Sequence, residues 1–407
     1  MKIKRPLLLM LILILCHSYW TIACTTAIIS GKYTTDGRPL LLKHRDADEV
    51  QNKLMFFNDG KYKYIGLVNS SDSLGEEIWA GYNSAGFAIM NSASYNLNID
   101  DSTGLKDREG FIMKQALQRC ATAEEFELLL SSLPKPLGVE ANFGVIDARG
   151  SAVYYETTNF DFIKIDANDP RLAPFGYLIR TNYSFTGTQE TGYGYIRYNA
   201  AEDLFYHAAA IDNLSYKFLL EEVSRNLKHS LTEKDLIREI PESSVIADFV
   251  WFQDYIPRYS SVATVVIQGI KDNEPADLTT MWTILGFPLC SIALPTWIAG
   301  GDILPQIVTV NEYGVAPLCD MALQLKKKCF PIERGSGYKY LNLTALLNQE
   351  GTGIMQKILP FETEILQESA DRLNYWRKDG VSSQEIQQYY RYLDQKVLDF
   401  YRNMFDL

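Results

Sequence analysis

Histidine is scarce in this chain. Four occur in 407 residues, His17, His44, His207 and His229, and none stands at a metal-ligand spacing. The sequence holds no G-x-S-x-G and no Cys-x-x-Cys, so it lacks the signatures of a nucleophile-elbow serine hydrolase and of a thioredoxin-like redox pair. Its 6 cysteines are scattered, against a disulfide-scaffolded fold. Repeats, low-complexity tracts and long linkers are absent. Beyond the N-terminus no apolar run reaches membrane-spanning length. Trp282 to Ile303 comes nearest, but Pro288 and Pro295 interrupt it and Gly300-Gly301 end it, as suits buried strands and turns. Basic charge is short too: 39 Lys and Arg face 50 Asp and Glu, a formal net charge of -11. Such an acidic surface argues against nucleic acid and anionic membrane as partners.

What is present suits a folded chain of one large or two ordinary domains, with 47% hydrophobic and 22% charged residues. Residues 1–23 read as a secretory leader. Lys2, Lys4 and Arg5 give a positive n-region, Leu7 to Leu15 an apolar h-region, and Thr21-Ile22-Ala23 a small-residue ending. Cleavage after Ala23 would remove those three cations and no carboxylate, taking the formal net charge from -11 to near -14. It would also make Cys24 the first residue. Such a cysteine carries a thiol and a free α-amine together. The amine, with a reference pKa near 8, can serve as base for a thiol whose reference is about 8.5. A nucleophile that supplies its own base needs no histidine, although a Cys–His dyad with a distant partner stays open.

Two other readings of Cys24 stand beside this one. It is a structural or disulfide-bonded cysteine, or it is the lipid-bearing residue of a lipoprotein, because Thr21-Ile-Ala-Cys24 resembles a lipobox with Thr21 in the usual leucine place. A lipid thioether would block the thiol and N-acylation would remove the amine, so lipidation and catalysis exclude each other. Export leaves Cys24, Cys120, Cys290, Cys319 and Cys329, an odd number that points to one free thiol. Cys319 and Cys329 stand close enough in sequence to close a short loop, and the pairing stays open.

Along the chain, residues 25 to 160 read mostly as strands. Thr26 to Ser30 and Pro39 to Lys43 flank a turn at Thr35-Asp-Gly-Arg38, a hairpin that returns His44 to Asp48 beside Cys24. Ile78 to Ser92 forms a second hairpin around Asn83-Ser-Ala-Gly86. Phe111, Met113, Ala116, Leu117 and Cys120 mark one face of a helix, and Thr122-Ala-Glu-Glu125 is a capping box for the next. Strands are predicted at Asn142 to Asp147, Ala152 to Glu156, Tyr177 to Tyr183, Ser261 to Gly269, Met281 to Ile292 and Gln306 to Val310. Helices are predicted over Tyr198 to Lys228, Glu233 to Ile240, and from Phe361 to the end. There Ser382-Ser-Gln-Glu385 caps a last helix striped by Tyr389, Leu393, Val397 and Tyr401.

Several motifs now stand in order. Cys24-Thr-Thr follows a leader. Then come Arg45-Asp-Ala-Asp48, Gly81-Tyr-Asn-Ser-Ala-Gly-Phe-Ala-Ile-Met-Asn91, Asn142-Phe-Gly-Val-Ile-Asp-Ala-Arg-Gly150, Arg180-Thr-Asn182 and Arg258-Tyr-Ser-Ser261. Over residues 24 to about 310 the chain resembles the N-terminal-nucleophile (Ntn) amidases of the choloylglycine hydrolase and penicillin V acylase superfamily. Glu109-Gly110 before a helix, with Thr122-Ala-Glu-Glu125, is most similar to the isopenicillin N acyltransferase-like branch, peptidase C45.

The resemblance implies an α+β fold, an αββα sandwich of two stacked antiparallel sheets between helical layers, with Cys24 on a strand. The chain reads as a catalytic domain over 24–360 with a helical extension at 361–407, which lies beyond the stretch that carries the resemblance. By it, Cys24 attacks an amide carbonyl and its amine passes the thiol proton to the leaving amine. Asp48 matches by spacing the aspartate that holds the amine, with Asp46 the alternative, because many relatives carry Arg-Asn-x-Asp. Arg45 matches the arginine beside the thiol, Asn182 the side-chain oxyanion donor, Asn91 a backbone donor, and Arg258 a second arginine that orders the site. A pre-aimed oxyanion donor is worth about 2.7–4 kcal/mol of barrier in known cases.

Each residue also has a plainer reading. Asn91 and Asn182 suit turns or sheet ends, and Arg45 and Arg258 suit surface ion pairs. Trp79, Tyr82, Tyr95, Trp282 and Phe287 line an acyl pocket or are core aromatics. The function implied is hydrolysis of linear amide C–N bonds in small N-acyl compounds of bile-salt, penicillin V or N-acyl amino acid type, without cofactor, in an exported protein, periplasmic or secreted. An acyltransferase differs only in what resolves the thioester. A lipid-anchored, non-catalytic binding protein is the rival from another class. The partner expected is a small acyl amide, and the chain is compatible with a homo-oligomer.

Overall fold

The structure, a computed structural model, describes residues 23–407, so the expected leader lies, apart from Ala23, outside the described residues. The first hairpin forms as expected. β1 (Thr25–Ile29) and β2 (Leu40–Asp46) pair antiparallel, with Thr25 opposite His44 and Ile29 opposite Leu40. Gly37 in the connection takes φ 74°, a left-handed value that costs glycine nothing because it has no Cβ. β3 (Asn52–Phe57), β4 (Tyr64–Asn69), β5 (Ala80–Asn83) and β6 (Ala88–Ala93) form a meander. Its last turn is held by Asn83 Oδ1, which accepts from the amides of Ala85 and Phe87 at 3.0 and 3.2 Å, the Asx turn that Asn83-Ser-Ala-Gly86 implies.

Helices α1 (Glu109–Arg119) and α2 (Ala123–Ser132) follow. Thr122 Oγ1 caps α2 by accepting from the Glu125 amide at 3.2 Å. In α1 the buried stripe is Ile112, Met113, Ala116 and Leu117, whereas Phe111, expected on that face, is 39% exposed. One residue is a 100° step around a helix, which takes Phe111 off the stripe. β7 (Ala141–Ile146), β8 (Ala152–Thr157), β9 (Phe162–Asp166) and β10 (Tyr177–Arg180) come next.

The single helix expected over Tyr198 to Lys228 is divided. α3 (Tyr195–Ala210) ends in a turn where Asp212 has φ 52°. Ser215 then accepts from the Phe218 amide and starts α4 (Tyr216–Phe218), which runs into a π-helical turn, Leu219–Val223. The helix expected at Glu233 to Ile240 is a series of turns instead. Glu233 is left-handed at φ 57° and Lys228 bridges to Asp235, so the short segment spends its backbone groups on a reversal.

β11 (Phe249–Trp251), β12 (Ser261–Gln268), β13 (Thr280–Leu285) and β14 (Ala293–Thr296) complete most of the strands. The strand expected at Gln306 to Val310 is a 3₁₀ turn, Gln306–Val308. Its first two amides donate to the Asp394 carboxylate, each at 3.0 Å, which replaces a strand partner. α5 (Pro317–Cys329) was not legible as periodicity and has proline in its first turn. β15 (Tyr340–Asn342) pairs with β11, and α6 (Leu343–Leu346) leads to α7 (Ile354–Asp379) and α8 (Ser383–Phe405). Pro360 lies inside α7, so the boundary expected between 360 and 361 falls within that helix.

The strands form a six-stranded sheet, β10-β1-β2-β12-β13-β14, and a seven-stranded sheet, β3 through β9 in sequence order. Every pairing is antiparallel. Three clusters make the layers. Ile28 and Leu41 of the first sheet meet Tyr82, Met90 and Tyr154 of the second. Ile89 and Phe143 on the second sheet's outer face meet α1 and α2. Leu40, Leu42 and Ile179 on the first sheet's outer face meet α3. This is the α+β, helix–sheet–sheet–helix sandwich expected.

The C-terminal helices share that core. Trp297, just after β14, stacks on Tyr390 and meets Trp376 edge-on. Glu362 of α7 forms a buried pair with Arg225 at 2.6 Å. No helix among the described residues is long and apolar enough to cross a membrane.

Candidate active site

The site is built from the composition of β2, Leu-Leu-Leu-Lys-His-Arg-Asp. Successive side chains of a strand point to opposite faces. Leu40 and Leu42 face α3 and Leu41 faces the second sheet, so Lys43 and Arg45 continue into the space between sheets while His44 and Asp46 continue outward. Thr26 of β1 reaches Ser92 and Tyr154 of the second sheet, and the same alternation puts the Cys24 side chain on the inter-sheet face. The antiparallel register sets it beside Arg45. Cys24 is 4% exposed.

Lys43 Nζ donates to the Asn91 carbonyl at 2.8 Å and to Asn91 Oδ1 at 2.6 Å. An ammonium has three donors, and two of them are used among the described residues. Arg45 donates to Asn52 Oδ1 and to Asn69 Oδ1, the latter at 2.9 Å, and its guanidinium lies 4.8 Å from the Trp79 ring centre, a cation–π contact. Burial pushes Lys43 down to about 8 and Arg45 down to about 10. An ionised Cys24 is the next largest influence on both and acts in the opposite direction.

On the other face, Asp46 is fully buried. Its Oδ2 accepts from Arg258 Nε and Nη2 at 2.7 and 2.6 Å, and its Oδ1 from Ser261 Oγ at 2.6 Å. Arg258 Nη2 also donates to the Ala23 carbonyl at 2.8 Å. The Asp46–Arg258 pair therefore sits at the peptide bond that precedes Cys24. His44 is held here as well. Ser261 gives its one hydroxyl proton to Asp46, so His44 Nε2 donates to Ser261 Oγ at 2.9 Å and Nδ1 accepts from Thr264 at 3.0 Å. Burial pushes His44 down to about 4, leaving a neutral ring on the face of β2 turned away from the Cys24 side chain.

Arg197, in the first turn of α3, joins the halves. Nη1 donates to the Cys24 carbonyl at 2.6 Å and to Thr25 Oγ1 at 2.9 Å, and Nη2 donates to Asn182 Oδ1 at 2.8 Å. Arginine only donates, so the Asn182 oxygen faces it and the amide nitrogen faces away, toward the Ala93 carbonyl at 2.9 Å. Burial lowers Arg197 to about 9. The chain carries a net charge of -11, yet four cations gather around Cys24: Lys43 and Arg45 on the inter-sheet face of β2, and Arg197 and Arg258 on the backbone of Cys24 and Ala23, with Arg258 paired to Asp46. Glu109, at the start of α1, lies near Lys43 and is raised to about 7 by burial.

Of the residues singled out from sequence, the structure gathers Cys24, Arg45, Asn91, Asn182, Arg258 and Trp79. Asp48 stands apart: it is exposed past the end of β2, and Asp46 occupies the place beside Arg258. Tyr82 also stands apart, fully buried in the core with its hydroxyl donating to the Thr296 carbonyl. Asn91 turns acceptors, not donors, toward the site. Sequence reasoning missed Lys43, Ser261 and Arg197. Alternation from Leu41 would have found Lys43; Arg197 left no local signal.

Tyr259, the residue after Arg258, lines a cleft of about 570 Å³ with Val50, Leu323, Phe330 and Tyr338. Lys326 of α5 lines it, donating to the Tyr259 carbonyl with its ammonium 4.2 Å from the Tyr259 ring centre. Among the described residues no three His, Cys, Asp or Glu side chains are grouped to hold a metal ion.

No protein-family model matches the chain, and no curated protein matches it in sequence. Among solved structures it is similar to an N-acylethanolamine-hydrolyzing acid amidase ortholog from Caenorhabditis elegans, at 14% identity and TM-score 0.40 over 60% of this chain and 92% of that one. It is similar to a variant of conjugated bile acid hydrolase from Clostridium perfringens, at 13% identity and TM-score 0.39 over 68% and 92%. It is also similar to penicillin V acylase from Agrobacterium tumefaciens, at 14% identity and TM-score 0.37 over 68% and 86%. Likeness at this level says nothing of chemistry, which rests on the site itself.

Proposed function

We propose that the chain is a cysteine amidase whose nucleophile is Cys24 and whose base is the α-amine freed by cleavage after Ala23. The observation that carries this reading is the contact of Arg258, paired with buried Asp46, on the carbonyl of Ala23. A carboxylate and a guanidinium stand where a new amine would appear. In the reaction, Cys24 Sγ attacks the carbonyl carbon of a linear amide while its proton passes to the amine. The oxyanion is met by the Asn182 amide, oriented by Arg197, and by the remaining donor of Lys43, the kind of fixed positive environment that stabilises developing charge. The ammonium then protonates the leaving nitrogen, and water cleaves the acyl-thioester. Asp46 rather than Asp48 orients the amine. Lys43 and Arg45, packed against Trp79, hold the inter-sheet wall.

The burial of Cys24 weighs against the lipid-anchor reading, because a diacylglyceryl group cannot be housed between two close-packed sheets. The occupied ring nitrogens of His44 weigh against a Cys–His dyad with that residue. The reading places the mature protein outside the cytoplasm and takes its substrates from small N-acyl amines or N-acyl amino acids. The test is intact mass and N-terminal sequencing of the exported protein, followed by turnover of a panel of such amides by wild type and Cys24→Ala. The expected result is a free Cys24 N-terminus and complete loss of turnover in Cys24→Ala with unchanged circular dichroism. Wild-type turnover in Cys24→Ala, or a lipidated Cys24, would overturn the proposal.

A further inference from the structure

Away from the active site, two cysteines meet. Cys290 closes the 3₁₀ turn Pro288–Cys290 between β13 and β14, and Cys329 is the last residue of α5. Their sulfurs lie 3.6 Å apart and both side chains are fully buried. The other cysteines are engaged elsewhere. Cys319 Sγ accepts from the Asn52 amide and donates to the Val50 carbonyl, each at 3.5 Å. Cys120 belongs to the cluster under α1 and α2, and Cys24 to the active site. The pair Cys290–Cys329 is thus the one that packing brings into contact among the described cysteines, not the Cys319–Cys329 loop that sequence proximity suggests.

We infer that Cys290 and Cys329 are a disulfide site, oxidised as the chain folds in an oxidising compartment. A disulfide needs its sulfurs at about 2.05 Å, so side-chain rotation and a small movement of the end of α5 must bring them together. The end of α5 can give, because residues 331–336 after it are exposed and irregular. The oxidant is a small-molecule or protein disulfide. One thiolate attacks it to form a mixed disulfide and releases one thiol. The second cysteine displaces the other thiol, so two cysteine thiols lose two electrons and two protons and the oxidant gains them. Both sulfurs are sealed in the native state, so the exchange precedes the docking of α5. The bond would close a loop across a separation of 39 residues and tie α5, which lines the cleft with Leu323 and Lys326, to the six-stranded sheet.

The experiment uses the full chain, refolded in parallel with glutathione disulfide and with dithiothreitol. It is then denatured, alkylated and digested without reduction, and its peptides are weighed. In the oxidised sample a peptide joining Cys290 to Cys329 is expected, lighter than its two parts by two hydrogens, with Cys24, Cys120 and Cys319 alkylated. Adding dithiothreitol should lower the melting temperature of the oxidised wild type and leave that of Cys290→Ala/Cys329→Ala unmoved. Full alkylation of Cys290 and Cys329 in the oxidised sample, or a bond from either to another cysteine, would overturn the inference. The peptide map needs no variant to fold and no turnover to be measured.

Discussion

Asp46→Asn and Asp48→Asn form the most discriminating pair of substitutions, because the two residues differ in surroundings and not in chemistry. Asp46 is wholly buried and accepts three hydrogen bonds between 2.6 and 2.7 Å, two from Arg258 and one from Ser261. Removing one charge of a buried pair costs about 3–5 kcal/mol. The Arg258 side chain is still 15% exposed and asparagine keeps one acceptor oxygen, so the expected loss is nearer about 2–3 kcal/mol. Asp48 is exposed, and surface changes of this kind stay within about 0.5 kcal/mol. The loss should be shared with Arg258: a cycle of Asp46→Asn and Arg258→Gln, read by urea denaturation, should show a coupling of about 0.5–3 kcal/mol. In turnover, Asp46→Asn should lose much of the base contribution, which is typically about 10²–10⁴-fold, whereas Asp48→Asn should stay near wild type. Equal losses in the two variants, or a larger one in Asp48→Asn, would refute the placement of the carboxylate and with it the role given to Arg258.

Two further outcomes follow from the same geometry. A chain beginning Met-Ala ahead of Cys24, its N-terminus verified by mass, should fold and yet lose turnover by about 10²–10⁴-fold, because an amide nitrogen cannot take the thiol proton; full activity would remove the amine from the mechanism. Lys43 is depressed from 10.5 to about 8 by burial, so between those values the unfolded chain binds more protons than the folded one and stability rises with pH. The cost is present in full below pH 8. Relative to Lys43→Met, wild type should gain about 2–3 kcal/mol between pH 7.5 and pH 10, since a tenfold difference in proton affinity between the two states is worth about 1.4 kcal/mol; urea titrations at both pH values with no such gain would show Lys43 to be better solvated than its burial implies.

The parts of the fold that were legible in sequence are those fixed by local chemistry. Asn83-Ser-Ala-Gly86 announces its turn because the asparagine side chain binds the backbone within four residues, and Ser382 and Glu385 announce the start of α8 by capping each other's backbone. The missed elements depend on distant partners. Gln306 to Val308 looks like a strand until Asp394 supplies its acceptor, and the apolar run from Tyr198 onward hides a break that only Asp212 and Ser215 mark. The site divides in the same way. Cys24 is legible from the end of the leader, and Arg45, Asn182 and Arg258 from motif order. The choice between Asp46 and Asp48 turns on which one the end of β2 still keeps inside the sheet, and Arg197 becomes visible only when α3 is laid across the first sheet.

β2 also sets an order in time. Its aliphatic half can be covered by neighbours close in sequence, since Ile28 and Ile29 lie opposite Leu41 and Leu40. Its charged half cannot. Cys24 waits for Arg197 across 173 residues, Asp46 for Arg258 across 212, and Ala23 for the same arginine across 235. Such distant closures are slow steps in folding. A chain emerging N-terminus first carries the proposed nucleophile from the outset, Arg197 only when about half its length has appeared, and Arg258 only after more than half. On the proposed mechanism the half-made protein is inert by construction, and reactivity arrives with completion of the second half of the six-stranded sheet.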